Sequence, residues 1–259
     1  MRQTERASPR MPAREPGVQV LSRAAEILRI LKVSPGGLTQ AEIAARVGLA
    51  RTTVHRILNA LADESLVQPN GRSNRYRLGS EILHMADAAR SSLITEIHPY
   101  LEQLSRDIDE TVDLSVLDHD HMTFIDQVVS PQRLRAVSAV GASFPLHCTA
   151  NGKAVLAALS ASDAAKALPE KLAPFTVNTI TEHGRLAAEI AAVRETGLAR
   201  DMEEHSLGIC AVGISLNNTA LGHTAISVPI PAQRFAEKEQ AAAAGLRATA
   251  AQVAAILTK

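Results

Sequence analysis

Apolar residues recur at helical spacing from residue 18 onward. Leu21, Ala24, Ala25, Leu28 and Leu31 fall three or four apart, with Ser22 as an N-cap and Ser34-Pro35-Gly36-Gly37 as a stop. Thr39 and Glu42 have capping-box spacing, which opens a second helix with Ala41, Ile43, Ala44 and Val47 as its apolar positions. Gly48 ends that helix, and a third runs from about Arg51 to Asp63 with Val54, Ile57, Leu58 and Leu61 inward. Residues 66–68 and 75–78 then read as two strands around the polar turn 69–74. The stretch 79–93 is helical, with Ile82, Leu83, Met85 and Ala86 on its apolar side. Helix continues over 95–110, where Pro99 is placed in a first turn.

After Thr111 the period drops to two or the chain becomes continuously apolar. Residues 112–117 and 122–129 read as a hairpin about 118–121, with a further strand at 135–140. Helices are expected from Thr149 to 159 and over 185–196, the second ending at Gly197. Strands at 209–216 and 224–229 flank a turn at Asn217-Asn218, and an Ala-rich helix covers 232–257. The chain therefore divides into a winged helix-turn-helix domain (18–78), a linker helix (79–94) and an α+β domain built on an antiparallel sheet (95–259). Residues 1–17, rich in Arg, Pro and Ser without apolar period, read as a disordered basic arm.

Charge changes the picture. The net charge is zero over the whole chain, yet residues 1–78 hold 13 Arg plus Lys against 6 Asp plus Glu, a balance of +7, and the remainder carries −7. A basic head on an acidic body points to a polyanion met by the head alone. Aromatic residues are only 2%, with no Trp, which argues against a base-stacking platform for single strands. The longest apolar runs, such as 154–159, are about a third of the ~20 residues a membrane span needs. The four arginines up to Arg14 precede no apolar segment, so no secretory signal is expected. Two cysteines make no disulfide framework, and the expected compartment is the cytoplasm.

In a helix-turn-helix the two helices touch through a small residue, turn through a residue tolerant of positive φ, and bury a branched residue in the second helix. Ala44, Gly48 and Val54 supply these. That leaves Arg51, Thr52, Thr53, His55, Arg56 and Asn59 outward, residue types that bond base edges and phosphates. The wing adds Arg72, Arg75 and Arg77, expected on phosphates or in the minor groove. The expected partner is duplex DNA, at a palindromic site.

Other residue groups carry chemistry of their own. Thr149 as an N-cap aims the amides of Ala150, Asn151 and Gly152 at whatever precedes the helix, an arrangement suited to an anion. His147-Cys148 invites the reading of a small-molecule enzyme, but neighbouring strand residues face opposite ways and do not form a dyad. Asp118-His119-Asp120-His121 holds metal-binding side chains in a turn, with His205 and His223 elsewhere; no metal and no cofactor are assigned. Asp201, Glu203 and Glu204 have the look of paired carboxylates for acid–base chemistry.

At this point the chain resembles IclR-type bacterial transcription regulators. The resemblance rests on Leu21-Ser22-Arg23-Ala24, LTQAEI at 38–43, Gly48-Leu49 and Tyr76-Arg77-Leu78-Gly79 in the head. In the body it rests on Glu110-Thr111-Val112, FPLHCTANGK at 144–153 and DMEEHSLG at 201–208. It implies a winged helix-turn-helix, a linker helix and a GAF-like effector domain. It also implies a homodimer or dimer of dimers, repressing a catabolic operon under a small organic-acid or aromatic effector. Residues matching the family's pocket are Ala150, Asn151, Asp201, Ile209, Ala211 and Ser227, with Ala136 and Phe144 on its apolar wall. Ala211 stands where the family often has Cys, and Pro229 where it often has a second Ser, so an apolar or aromatic ligand body suits this chain.

Overall fold

The structure, a computed structural model, describes residues 16–70 and 74–257, with side chains from Gln19 and without those of 217–219 and 257. The chain separates into two compact units, 1–89 and 90–259, and the boundary falls inside one continuous helix.

In the first unit α1 (Pro16–Lys32), α2 (Gln40–Val47) and α3 (Arg51–Asp63) enclose a core of Ile27, Leu31, Ile43, Val54 and Leu58. The α1 helix starts earlier than the apolar period suggests, because Pro16 is preset for a first turn; Ser22 is therefore interior, not a cap, and Leu21 is exposed. Of the basic arm expected over 1–17, positions 1–15 lie outside the described residues, and positions 16 and 17 belong to α1. At α2 the capping box is present in both directions, and Gly48 takes φ 65°, left-handed, to turn the chain into α3. Ala41 points to solvent rather than inward. The wing has three strands, not two: β1 (Leu38–Thr39) pairs with β3 (Arg75–Leu78), which pairs with β2 (Val67–Asn70).

The helix α4 (Glu81–Ile108) runs unbroken through Pro99, which is interior rather than in a first turn. Pro99 has no N–H for the Thr95 carbonyl, while Thr95 Oγ1 donates to Ser91 O at 2.9 Å one turn earlier. Ile97, Leu101, Leu104 and Ile108 form one buried stripe around and beyond it.

The second unit is a six-stranded antiparallel sheet in the order β6-β5-β4-β9-β8-β7. Its strands are β4 (Val112–Asp118), β5 (His121–Val128), β6 (Ser143–Pro145), β7 (Ala199–Met202), β8 (Ile209–Thr219) and β9 (Gly222–Pro231). The buried stripe of α4 and the face of α8 (Ala232–Leu257) cover one side, against Leu114, Val212, Ile226 and Val228. On the other side α5 (Ala150–Ala158) and α7 (His183–Thr196) pack over Met122 and Ala225, with α6 (Ala161–Ala167) beside them.

Two further expectations are corrected. Residues 135–140 form no strand; Ala136 and Ser138 do alternate inward, but β5 already pairs with β6, and Phe124 bonds Gly141 and Ala142. The hairpin between β8 and β9 turns after Thr219, not at Asn217-Asn218, whose side chains lie outside the described set. The short elements β1, β6, β7 and α6 were not expected. Among the described residues no helix is long and apolar enough to cross a membrane.

Candidate functional site

On α3 the buried positions Val54, Ile57, Leu58 and Leu61 leave Arg51, Thr52, His55, Arg56 and Asn59 exposed, with Thr53 half-buried. Asn59 Nδ2 lies 3.3 Å from His55 Nε2 one turn before it, so the two polar heads are held together. Gln40 Nε2 donates to Arg51 O at 2.9 Å and ties α2 to the start of α3. That start is Ala50, which has no side-chain oxygen to cap it, so the first amides keep their positive end for an outside acceptor. Sequence patterning did not single out this uncapped start, because an alanine gives no capping signal.

The wing residues divide. Arg77 is exposed, and Arg72 lies outside the described residues. Arg75 is half-buried and occupied: Nη1 donates to Gly37 O at 2.6 Å and Nη2 to Glu42 Oε1 at 3.3 Å. Its role within the domain is therefore to clip the wing to α2.

The second unit holds a cavity of about 250 Å³ on the α5 side of the sheet. All eight positions selected from the sequence line it: Ala136, Phe144, Ala150, Asn151, Asp201, Ile209, Ala211 and Ser227. Strand register explains why. Asp113 pairs with Ser227, Ser227 with Gly213, Ala211 with Pro229, and Asp201 with Ala211, so β4, β9, β8 and β7 each contribute to one floor. The wall is the start of α5. Thr149 Oγ1 accepts from the Gly152 amide at 3.2 Å, as does Asn151 Oδ1 at 3.0 Å. Asn151 Nδ2 is turned to Ser115 Oγ at 2.9 Å, so Asn151 offers the cavity its backbone more than its amide side chain. Gly213 lets this wall sit tight on the sheet: a Cβ there would stand 2.7–2.9 Å from backbone atoms of Ala150 and Asn151.

Sequence reasoning missed several contributors, four of which shape the cavity's chemistry. Asp113 and Ser138 bring polar side chains to the lining, and Phe124 and His205 bring rings. Phe144 is stacked on His205 with centroids 4.2 Å apart, and Phe124 meets Phe144 edge-on at 5.0 Å. His205 is held below the usual imidazole range by burial and then by nearby His147, which favours its neutral form. Asp113 is 1% exposed; it accepts from Gln127 Nε2 at 2.6 Å and Ser138 Oγ at 3.2 Å. Burial raises its carboxyl to about 7, against the pull of those two bonds. Asp201, which accepts from the Glu204 amide at 2.7 Å, is raised to about 7, chiefly by burial.

The acid–base and nucleophile readings find no support in this geometry. His147 Nε2 is 2.9 Å from Ala173 O, and burial foremost pushes the Cys148 thiol up to about 12. Glu204 is spent on Lys153, whose Nζ lies 2.6 Å from it inside the protein. In the turn at 118–121 each histidine bonds the aspartate before it, at 2.7 and 2.8 Å, and no group of three metal-binding side chains gathers among the described residues.

Known proteins share both halves of this architecture. Residues 85–255 match the family model of the bacterial transcriptional regulator IclR C-terminal domain, and residues 20–71 match the IclR helix-turn-helix domain. The chain is 56% identical over 240 residues to the HTH-type transcriptional regulator Rv1719 of Mycobacterium tuberculosis, covering 93% of each protein. It is 37% identical to the HTH-type transcriptional regulator TtgV of Pseudomonas putida, over 86% of this chain and 85% of that one. Among solved structures, the Thermotoga maritima IclR crystal structure superposes with a TM-score of 0.62 at 26% identity, covering 93% of this chain and all of that one.

Proposed function

The chain belongs to the IclR family of bacterial DNA-binding transcriptional regulators, and from that premise we propose how its two sites divide the work. The head reads duplex DNA by laying α3 in a major groove. Arg51, Thr52, Thr53, His55, Arg56 and Asn59 meet base edges or phosphates there, and the uncapped start of α3 meets a phosphate. Arg77, with Arg72, extends along the backbone, while Arg75 acts by holding the wing in place. The cavity binds a small organic-acid or aromatic effector, which controls repression of a catabolic operon. The protein works in the cytoplasm as a homodimer, or a dimer of dimers, on a palindromic operator; the exposed Leu83 and Met85 of α4 favour a partner over that face.

The observation that carries this reading is the pairing of a one-sided polar face on α3 with a separate cavity floored by four strands. The test is a gel shift on the protein's own upstream region, with and without ligands found by thermal shift. A ligand whose binding is lost in Ala211→Phe and which changes operator affinity by roughly 5–150-fold supports the reading. Equal affinity for single strands, or a tight ligand that ignores Ala211→Phe, defeats it.

A further inference from the structure

Beside α7 the second unit carries an open groove of about 490 Å³. Val177, Ile180 and Met202 form its apolar side, and Arg185, Glu189 and Glu204 bring charge to it. It shares no lining residue with the cavity: on β7, Asp201 lines the cavity and its neighbour Met202 the groove, as alternate strand side chains do. Arg185 and Glu189 lie four residues apart on α7, yet they are not paired. A cation placed N-terminal to an acid is the poorer order for such a pair, and Glu189 Oε1 accepts instead from Lys153 Nζ at 3.1 Å. Arg185 is exposed, and among the described residues its guanidinium has no hydrogen-bond or ion-pair partner. Deeper in stands Glu204, its side chain 7% exposed. Its Oε1 accepts from Lys153 at 2.6 Å, while Oε2 has no partner among the described residues. The charges balance, two carboxylates against Arg185 and the wholly buried Lys153.

We infer that this groove is a small-molecule site separate from the cavity, taking a free α-amino acid with an apolar side chain as its zwitterion. A simple cation entering the groove meets Arg185, and a simple anion meets Glu189 and Glu204. A ligand that carries both charges and no net charge matches both. Its carboxylate takes the guanidinium fork of Arg185, which the protein itself leaves unused. Its ammonium has three donors, enough for the second oxygen of Glu189 and for the orphaned Oε2 of Glu204. An α-amino acid bears the two groups on one carbon, as α7 bears their partners on adjacent turns of one face. The side chain covers Val177 and Met202, which are 93% and 47% exposed without it. What fills the groove does not depend on what fills the cavity, since no residue lines both.

The test compares L-leucine with its two halves: 4-methylpentanoate, which lacks the ammonium, and 3-methylbutylamine, which lacks the carboxylate. Binding to the full-length protein is measured by calorimetry near neutral pH and at low salt, which screens the exposed Arg185 least. L-Leucine should bind roughly tenfold or more tighter than either half. Arg185→Gln should erase its lead over the amine, and Glu189→Gln its lead over the acid. Ala211→Phe, which fills the cavity, should leave leucine binding unchanged. Three results overturn the groove: no binding of leucine, a half that binds as tightly, or leucine lost in Ala211→Phe but kept in Arg185→Gln. The last would move leucine into the cavity, so the effector reading would survive while the groove falls. Leucine bound as expected, in a protein whose operator affinity no cavity ligand changes, keeps the groove and removes the effector reading. Arg185 is exposed and unpaired, so its variant decides even where Ala211→Phe fails to fold.

Discussion

Arg75 on the wing and Glu42 on α2 are joined 3.3 Å apart, and the same carboxylate accepts the Thr39 amide at 2.7 Å. One acidic side chain thus closes a capping box and anchors a wing strand 33 residues later. The contacts hold the Glu42 carboxyl below its usual range, the Thr39 bonds first and the Arg75 charge among the lesser causes.

Removing the Thr39 hydroxyl tests the cap. Thr39→Ala should cost about 1 kcal/mol of head stability, read as a lowered denaturation midpoint of the head transition in the whole protein. An unchanged midpoint would mean the box adds nothing beyond its solvated alternatives.

The two wing arginines should behave differently on DNA. Arg77→Ala should weaken binding to every sequence alike and reduce the salt slope by about one ion. Arg75→Ala should lower stability and leave that slope unchanged, because its guanidinium is already bonded within the protein. A slope change in the second variant and none in the first would reverse these roles.

On α3, Arg56→Ala should cost roughly 1–3 kcal/mol against the operator and far less against random duplex. His55→Ala should cost less directly but release Asn59, its partner at 3.3 Å, and so blur base preference at one position. A binding-site selection on each variant reads both effects.

The buried carboxyls set a pH dependence. Asp113 and Asp201 titrate near 7 in the fold and near 3.9 in an unfolded chain, so protonation favours the folded state. Their stabilising contribution is fully present below about pH 4 and is lost as pH rises through about 7. Denaturant unfolding of the body should therefore show a loss of up to about 4 kcal/mol for Asp113 between acid and about pH 8. Asp113→Asn should flatten the profile. Identical profiles for the two proteins would refute the assignment.

Lys153 is wholly buried between Glu204 and the partly exposed Glu189. Among the described residues, Glu204 Oε2 has no hydrogen-bond partner. Lys153→Met should cost roughly 3–5 kcal/mol by leaving a buried carboxylate uncompensated, and adding Glu204→Gln should recover part of it. Additive losses in the double variant would rule out that coupling.

The parts of the fold legible from sequence are those punctuated by local chemistry. Thr39, Glu42 and Gly48 bracket α2, and Gly197, at φ 74°, closes α7, so these bounds are written in neighbouring residues. The elements that escaped are defined by distant partners. The β1 strand exists only through Leu38 facing Tyr76, and α6 buries no residue that could leave an apolar period. The cavity positions carried over from family motifs converge, but Asp113 was hidden. In the alternation of 112–117 it reads as a solvent-facing polar residue, whereas the β4 strand is central and covered on both faces. Nothing local distinguishes those two situations.

The absent side chain at Gly213 has a consequence for how such a cavity can change over generations. Ile209, Ala211 and Gly213 project from the same face of β8, yet only the first two border empty space. Position 213 is closed to any Cβ by the backbone of α5, while 209 and 211 border the cavity itself. A descendant protein can therefore acquire a new ligand by altering the floor one rung away, with the amide-bearing wall staying where a missing methyl group put it.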